Sequence, residues 1–252
     1  MRLIPTDAGT SQSAGKLALS VASTPEEVRE VQRLRYKVFI EGMSLVALYN
    51  DEGLDKDEFD AYCDHLIVRD TNTLKVIGTY RILGPHGARR MGKYYSETEF
   101  NLNRLDNIRN VLCEAGRACI HPDYRGGAVL MLLWAGIADY MRRERCDYLM
   151  GCASVSLADG GHNAVALYQA FNDKGNMAPS DYQVSPYVPF PLEKRAAEQA
   201  PQIPPLLRGY LRSGAWVCGA PAWDPDFHCA DFLLLLPLAK LDDRYAKHYL
   251  KS

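Results

Sequence analysis

Glu114 and Arg117, in the segment EAGRACI, are three residues apart on a predicted strand and carry groups that could do chemistry. A positioned carboxylate can act as a proton acceptor, although the same two residues would also make an ion pair that merely stabilises the fold. Residues three apart on a regular strand point to opposite faces, which counts against joint action. Gly116 between them offers an answer. A β-bulge there shifts the count by one, turns both side chains to one cleft and splays the strand from its neighbour. A few residues on, Arg125, Gly126 and Gly127 form a turn between a strand and a helix. Such a turn leaves backbone N–H groups and the positive helix end open to a phosphate, although Tyr-Arg-Gly-Gly is also an ordinary turn.

A second set of charges is out of place. Val28, Val31, Val38 and Phe39 mark one face of a predicted helix, and Arg35 falls among them. It either sits at the edge of the stripe with its head in water or pairs with a core carboxylate. Asp57 and Asp60 belong to the acidic, glycine-containing segment Asn50 to Asp64, whose default meaning is a solvated loop.

The elements that must position these groups alternate between strand and helix. Leu17 to Val21 reads as a first strand after a frayed polar tail, residues 1–16. Thr24, Pro25 and the Glu pair that follows read as N-cap, first helical residue and capping box. HLIVRD and LKVIGTYRIL, separated by TNT, read as two strands of a hairpin or meander with Arg81 near the end, and Pro85 to Tyr95 reads as a connection rich in Gly, Arg and Tyr. Val111 to Ile120 is the strand bearing Glu114. Val129 to Met141 is an apolar helix closed by Arg142, Arg143 and Arg145, where cations suit the helix end. DYLMGCASV is the next strand and NAVALYQAF a short helix. Pro179 to Pro205 is a long connection with one charged turn near Glu193 to Glu198, and LLRGYLRSGAW and DFLLLLPL supply a helix and late strands. The domain reading is a tail, 1–16, and one unit, 17–252, with a C-terminal extension.

Composition excludes several classes. The chain has 252 residues, 24% of them charged, and a net charge of -2, so nothing draws it as a whole to nucleic acid or an anionic membrane. Seven cysteines form no C-x-x-C pair and have no histidine at ligand spacing, so they read as reduced thiols, with no metal implied. The first twenty residues lack the pattern of a secretory signal, which points to the cytosol, and the longest apolar runs are too short to span a bilayer. Peripheral membrane contact stays open.

The chain resembles the GNAT superfamily, and more closely the bacterial L-ornithine N-alpha-acyltransferases of ornithine-lipid synthesis, from about Gln32 to Asp231. The motifs are QRLRYKVF, DEFDAYCDHLIV, GTYRIL, YYSETEF, EAGRACIHPDYR, LWAGIADY and PPLLRGYLRSGAW. The resemblance implies an α+β GNAT-like fold, with a mixed twisted sheet, a splayed bulged strand and flanking helices. Acyl-homoserine lactone synthases share Arg35, Phe39, Asp57, Asp60, Arg81, Glu114 and Arg117. In those families Glu114 would be the base or hold the base water, and the other charges would surround donor and amine. An ammonium must lose its proton before it can attack a thioester, which suits a positioned Glu114.

The superfamily's pyrophosphate turn has Gly where this chain has Ala128, and Gly or Ala where it has Leu130, a change that favours acyl carrier protein over coenzyme A as donor. No tightly bound cofactor is implied; the acyl-phosphopantetheine is a co-substrate. Arg142, Arg143 and Arg145, or Lys194 and Arg195, are candidate contacts for an acidic carrier. Tyr168 stands roughly where superfamily members keep a thiolate-protonating tyrosine, and Trp134 could line an acyl tunnel, though core packing explains both. Arg81 or Arg117 could hold the carboxylate of the amino acid. The expected reaction moves a 3-hydroxyacyl chain to the α-amine of L-ornithine. The alternatives are another acceptor, such as tyrosine or S-adenosylmethionine, or a non-catalytic lipid-binding protein.

Overall fold

The computed structural model describes residues 17–194, 197 and 200–240. The expected tail, residues 1–16, lies outside them, as does Arg195 of the charged turn. Strand β1 (Leu17–Val21) leads into helix α1 (Pro25–Arg35). The Thr24 hydroxyl accepts from the Glu27 N–H at 3.2 Å, but the Glu27 carboxylate reaches past Thr24 to the Ser23 N–H at 2.7 Å. After Arg35 the helix widens into a π turn, Tyr36–Glu41, and the Gly42 N–H donates to the Lys37 carbonyl. The wider turn breaks the expected stripe: Tyr36 and Ile40 are buried, whereas Val38 and Phe39 are half-buried.

Strands β2 (Asp64–Asp70) and β3 (Val76–Leu83) form the expected hairpin. The connection after them contains a helix. Helix α2 (Pro85–Met91) begins on a proline and stops at Gly92, whose φ of +88° ends it in the left-handed region. Then come β4 (Phe100–Asn101), β5 (Leu112–Ile120), α3 (Ala128–Glu144), β6 (Tyr148–Ser156), α4 (His162–Asp173) and β7 (Ser185–Pro186), which pairs with β4. Helix α5 (Pro205–Arg212) precedes β8 (Trp216–Val217), β9 (Ala222–Asp224) and β10 (Cys229–Pro237).

The main sheet runs β1-β2-β3-β5-β6-β10-β8, with β9 on the edge of β10. Its pairings are antiparallel except β5 with β6, which α3 connects as a crossover. Apolar layers cover both faces. In β10, Leu234 and Leu236 join one core, Leu233 and Leu235 the other, and all nine residues of the strand are buried. The apolar run at Phe232 to Pro237 is thus a strand covered on both faces. Among the described residues no helix is long and apolar enough to cross a membrane.

Two irregularities shape the middle of the sheet. Arg81 lies opposite Gly116 but Thr79 lies opposite Cys119, so β5 carries one extra residue there. The residue that absorbs it is Arg117, with φ +53°, and not Gly116 as the sequence suggests. The second is a parting of strands: β5 pairs with β6 only over Leu112 to Glu114, although β6 stays paired to β10 along its whole length. Gly151 sits at the fork, where a Cβ would lie 2.4 Å from the Ala115 carbonyl oxygen. Gly151→Ala should therefore cost about 1–3 kcal/mol of stability, seen as a Tm lowered by several degrees in thermal denaturation. An unchanged Tm would mean that the fork does not need this close approach.

Candidate active site

Arg35 is wholly buried where α1 gives way to the π turn. Its Nε donates to Asp55 Oδ2 at 2.8 Å, Nη1 and Nη2 donate to the Asp60 carboxylate at 2.9 and 3.1 Å, and Nη2 also reaches the Asp55 carbonyl at 2.6 Å. Pairing with a core carboxylate, and not escape to water, is what occurs. Asp60 also accepts from Gln32 Nε2 at 2.9 Å and from Arg81 Nη1 at 2.8 Å. Burial alone would push the Asp60 carboxyl up, but Arg35 and Arg81 outweigh it and hold it well below the usual carboxylate range. The acidic segment is therefore no free solvated loop at this point; Asp55 and Asp60 tie it to α1 and β3.

The three arginines differ in what they have left to give. Arg81 spends Nη1 on Asp57 at 2.6 Å and on Asp60. Arg117 is 3.7 Å from Asp55 and 3.6 Å from Asp57, beyond ordinary hydrogen-bond length. Its Nε is buried without a hydrogen-bond partner, as is Asp57 Oδ2, and its guanidinium lies over the rings of Tyr95 and Phe227.

Glu114 is buried at the last position where β5 pairs with β6. Its Oε2 accepts from the Tyr95 N–H at 2.6 Å, and Oε1 accepts from the Ser96 N–H at 2.8 Å and from the Ser96 hydroxyl. Burial pushes this carboxyl up, and the hydrogen bonds from Ser96 and Tyr95, with the charge of Arg81 beside them, offset the push only in part. The proposed Glu114–Arg117 ion pair does not form: one carboxylate faces Ser96, and the guanidinium leans toward Asp55 and Asp57.

Glu114, Arg117, Arg81 and Phe39 line one cavity of about 240 Å³, as the bulge argument requires. Arg35, Asp57 and Asp60 stand behind its wall. Arg125, Gly126 and Gly127 are exposed at the start of α3, where Gly127 has φ +93° and no side chain caps the helix. Lys37 and His121 meet beside them, Nζ to Nε2, at 2.9 Å. Trp134 packs in the core, edge-on to Tyr210, and Tyr168 lies half-buried against the same core; neither lines this cavity.

The basic patch proposed at the end of α3 needs correction. Arg142 and Arg143 pair with Asp139, and Arg143 also with Glu144. At about 1.5 Å per residue, the 17-residue helix sets them roughly 25 Å from the Arg125 turn. Lys194 closes a 3-10 turn and does not line the cavity.

Several residues of the cavity carried no sequence assignment. Tyr95, Glu99, Cys152, Asp224, Cys229 and Asp231 line it, and Ser96 and Asp55 hold its charged groups. A signal existed at Tyr94 to Thr98, where the Glu97 carboxylate accepts from the Tyr94 N–H at 2.6 Å in a capping box that aims the next two N–H groups at Glu114.

Residues 34–135 match the family model described as Acetyltransferase (GNAT) domain. The L-ornithine N(alpha)-acyltransferase of Brucella abortus (strain 2308) is 32% identical over 93% of this chain and 89% of its own length. Three further relatives at 30–32% identity share that name. Among solved structures, the acyl-homoserine lactone synthase LasI has a TM-score of 0.51 at 14% identity, covering 89% of this chain and 91% of LasI. The CoA-dependent acyl-homoserine lactone synthase BjaI scores 0.50 at 14% identity, over 89% of this chain and 83% of BjaI. These two likenesses concern the fold.

Asp60→Asn tests the charge network. It leaves two buried guanidinium groups underpaired, so the loss at pH 7 should be about 3–5 kcal/mol. Because the folded-state carboxyl is held down, its stabilisation is present above the unfolded value, about 3.9, and is lost as pH falls toward the folded value. The gap between wild type and variant in denaturant titrations should narrow progressively below about pH 4. A gap constant with pH would show that Asp60 is not the group that titrates.

Proposed function

Because the chain belongs to the L-ornithine N(alpha)-acyltransferase family, we propose that it transfers a 3-hydroxyacyl chain from acyl carrier protein to the α-amine of L-ornithine, with Glu114 as proton acceptor. The observation that carries this reading is Glu114 itself: buried at the fork of β5 and β6, raised in proton affinity by burial, and facing the same cavity as Arg117.

In this mechanism Arg117 takes the carboxylate of the amino acid, since Arg81 is already committed to Asp57 and Asp60. That contact turns the α-amine toward Glu114. The ammonium gives one proton to Glu114, directly or through a water, and the free amine attacks the thioester carbonyl carbon. A C–N bond forms, the carbonyl becomes an oxyanion, and the C–S bond then breaks. The thiolate leaves as the thiol, taking the second proton that the nitrogen must lose to become the amide, and Glu114 returns its proton to solvent. Past Glu114, the side of β5 that faces β6 is unpaired, which leaves backbone donors for the oxyanion and the pantetheine amides.

The donor enters from the Arg125 end. The open N-terminus of α3 can accept one phosphodiester. Around it His121 feels the positive fields of Lys37, Lys75 and Arg125, with Asp123 opposing. That cationic rim suits an acidic carrier protein and takes the place of the distant Arg142 to Arg145 patch. A cavity of about 240 Å³ is below the roughly 300–1,000 Å³ usual for ligand pockets. It holds an amino acid and the reacting thioester, and the long acyl chain must extend beyond it.

The test is mass spectrometry of the products formed by pure protein from 3-hydroxyacyl carrier protein, or the matching coenzyme A thioester, with ornithine, tyrosine and S-adenosylmethionine. Acyl-ornithine from the carrier thioester is expected; no product from any amine would overturn the reading. Glu114→Gln should lower kcat by about 10²–10⁴-fold, and wild-type activity should fall with acid at a pH above the ordinary carboxylate value of about 4.3. Arg117→Ala should chiefly raise the KM for the amino acid, and an unchanged KM would remove Arg117 from that role.

A further inference from the structure

The cavity that Arg117 lines also holds carboxylates that the mechanism above does not use. Asp231, on β10 beside Ser154 of β6, is 4% exposed. Glu99, just ahead of β4, interacts with it through its side chain, and Glu99 Oε2 is buried without a hydrogen-bond partner. Asp224 is close by, its Oδ1 accepting from the Asp226 and Phe227 N–H groups at 3.0 Å each. Among the described residues no Lys, Arg or His nitrogen comes within ion-pair distance of these three, although four aspartates and glutamates elsewhere in or behind the cavity are held by cations or N–H groups.

Two desolvated carboxyls facing each other without a cation are costly. Burial, followed by the nearby Asp231, Asp224 and Glu114 charges, pushes the Glu99 carboxyl up to about 8. Asp231 is also pushed up, by burial first. The pair therefore holds a proton that an arriving cation can displace. Asp224, Cys229 and Asp231 also bring their ligand atoms within 4.8 Å of one another. Burial pushes the Cys229 thiol far up, so it remains a thiol and the cluster offers carboxylates alone.

Resting on the acyltransferase reading, we propose that Glu99 and Asp231 bind the side-chain ammonium of a dibasic amino acid and so set both acceptor choice and the nitrogen that is acylated. Tyr95 fits between the two ends of such a substrate: its ring lies 5.2 Å under the Arg117 guanidinium, and its hydroxyl feels Glu99 and Asp231. With the carboxylate on Arg117 and the terminal ammonium on the acid pair, the α-amine is left beside Glu114. The terminal amine stays charged between two carboxylates and is no nucleophile. The chemical class selected is an α-amino acid with a short cationic side chain.

The experiment compares L-ornithine with L-norvaline, which has the same three-carbon side chain but no terminal amine, in wild type, Glu99→Gln and Asp231→Asn. Wild type should favour ornithine in kcat/KM by about 100-fold or more, because a site built for a polar group rejects an analogue lacking it. Either substitution should reduce the ornithine-to-norvaline ratio by about tenfold or more. Both substitutions are isosteric, and a ratio taken on one preparation is independent of the fraction folded. Equal use of both amino acids by wild type would overturn the inference without any variant, and so would a ratio that survives both substitutions. Loss of the ornithine preference on adding EDTA would assign the carboxylates to a metal and overturn it too. Each of these results leaves ornithine acylation intact, whereas failure of wild type to acylate any amine would sink the acyltransferase reading itself.

Discussion

The site depends on an arginine removed from water. Arg35 has no exposed surface, and an isolated guanidinium in that position would be prohibitively costly, so the chain around it must supply partners. Asp55 and Asp60 do so, and Asp60 passes the constraint on to Arg81 of β3 and Gln32 of α1. An acidic segment that would otherwise be solvated is pinned to a helix and a strand at once. Buried ion networks of this kind add little net stability against an apolar core of the same shape, but breaking one partner is expensive. The network therefore works mainly as a register device, fixing where Asp57 and Arg81 stand behind the cavity.

On that fixed wall the sheet does something unusual. β5 gains a residue against β3 at Arg117 and loses β6 after Glu114, while β10 keeps β6 in place. Both changes occur within four residues, and they convert a strand that would show Glu114 and Arg117 to opposite faces into one that shows both to the same cavity. Tyr95 and Ser96, at the start of a short helical turn, complete the arrangement by holding Glu114 through their N–H groups. The carboxylate is thus positioned by backbone, and its raised proton affinity comes from burial that the same packing imposes.

Much of this was legible from residue types and spacing. The capped start of α1, the hairpin of β2 and β3, and the strand, turn and helix around Glu114 follow from local chemistry. The buried arginine was visible as a charge on an apolar face. What stayed hidden depended on longer-range placement. The π turn after Arg35 has no period of its own, and α2 was obscured by its glycine and arginines. Asp55 looked like any other acid in an acidic run. Glu99 and Asp231 are 132 positions apart, one ahead of β4 and the other on β10, and only the tertiary fold brings them together. At Trp134 and Tyr168 motif position allowed a site role beside the default of core packing, and their helices pack them into or against the core.

The proposed mechanism rests on one geometry: carboxylate at Arg117, terminal ammonium at Glu99 and Asp231, and α-amine between them at Glu114. Acylation of ornithine labelled with ¹⁵N at the α-position, followed by NMR of the purified product, measures that geometry directly. An amide proton coupled to the labelled nitrogen is expected. An amide on the unlabelled terminal nitrogen would contradict it.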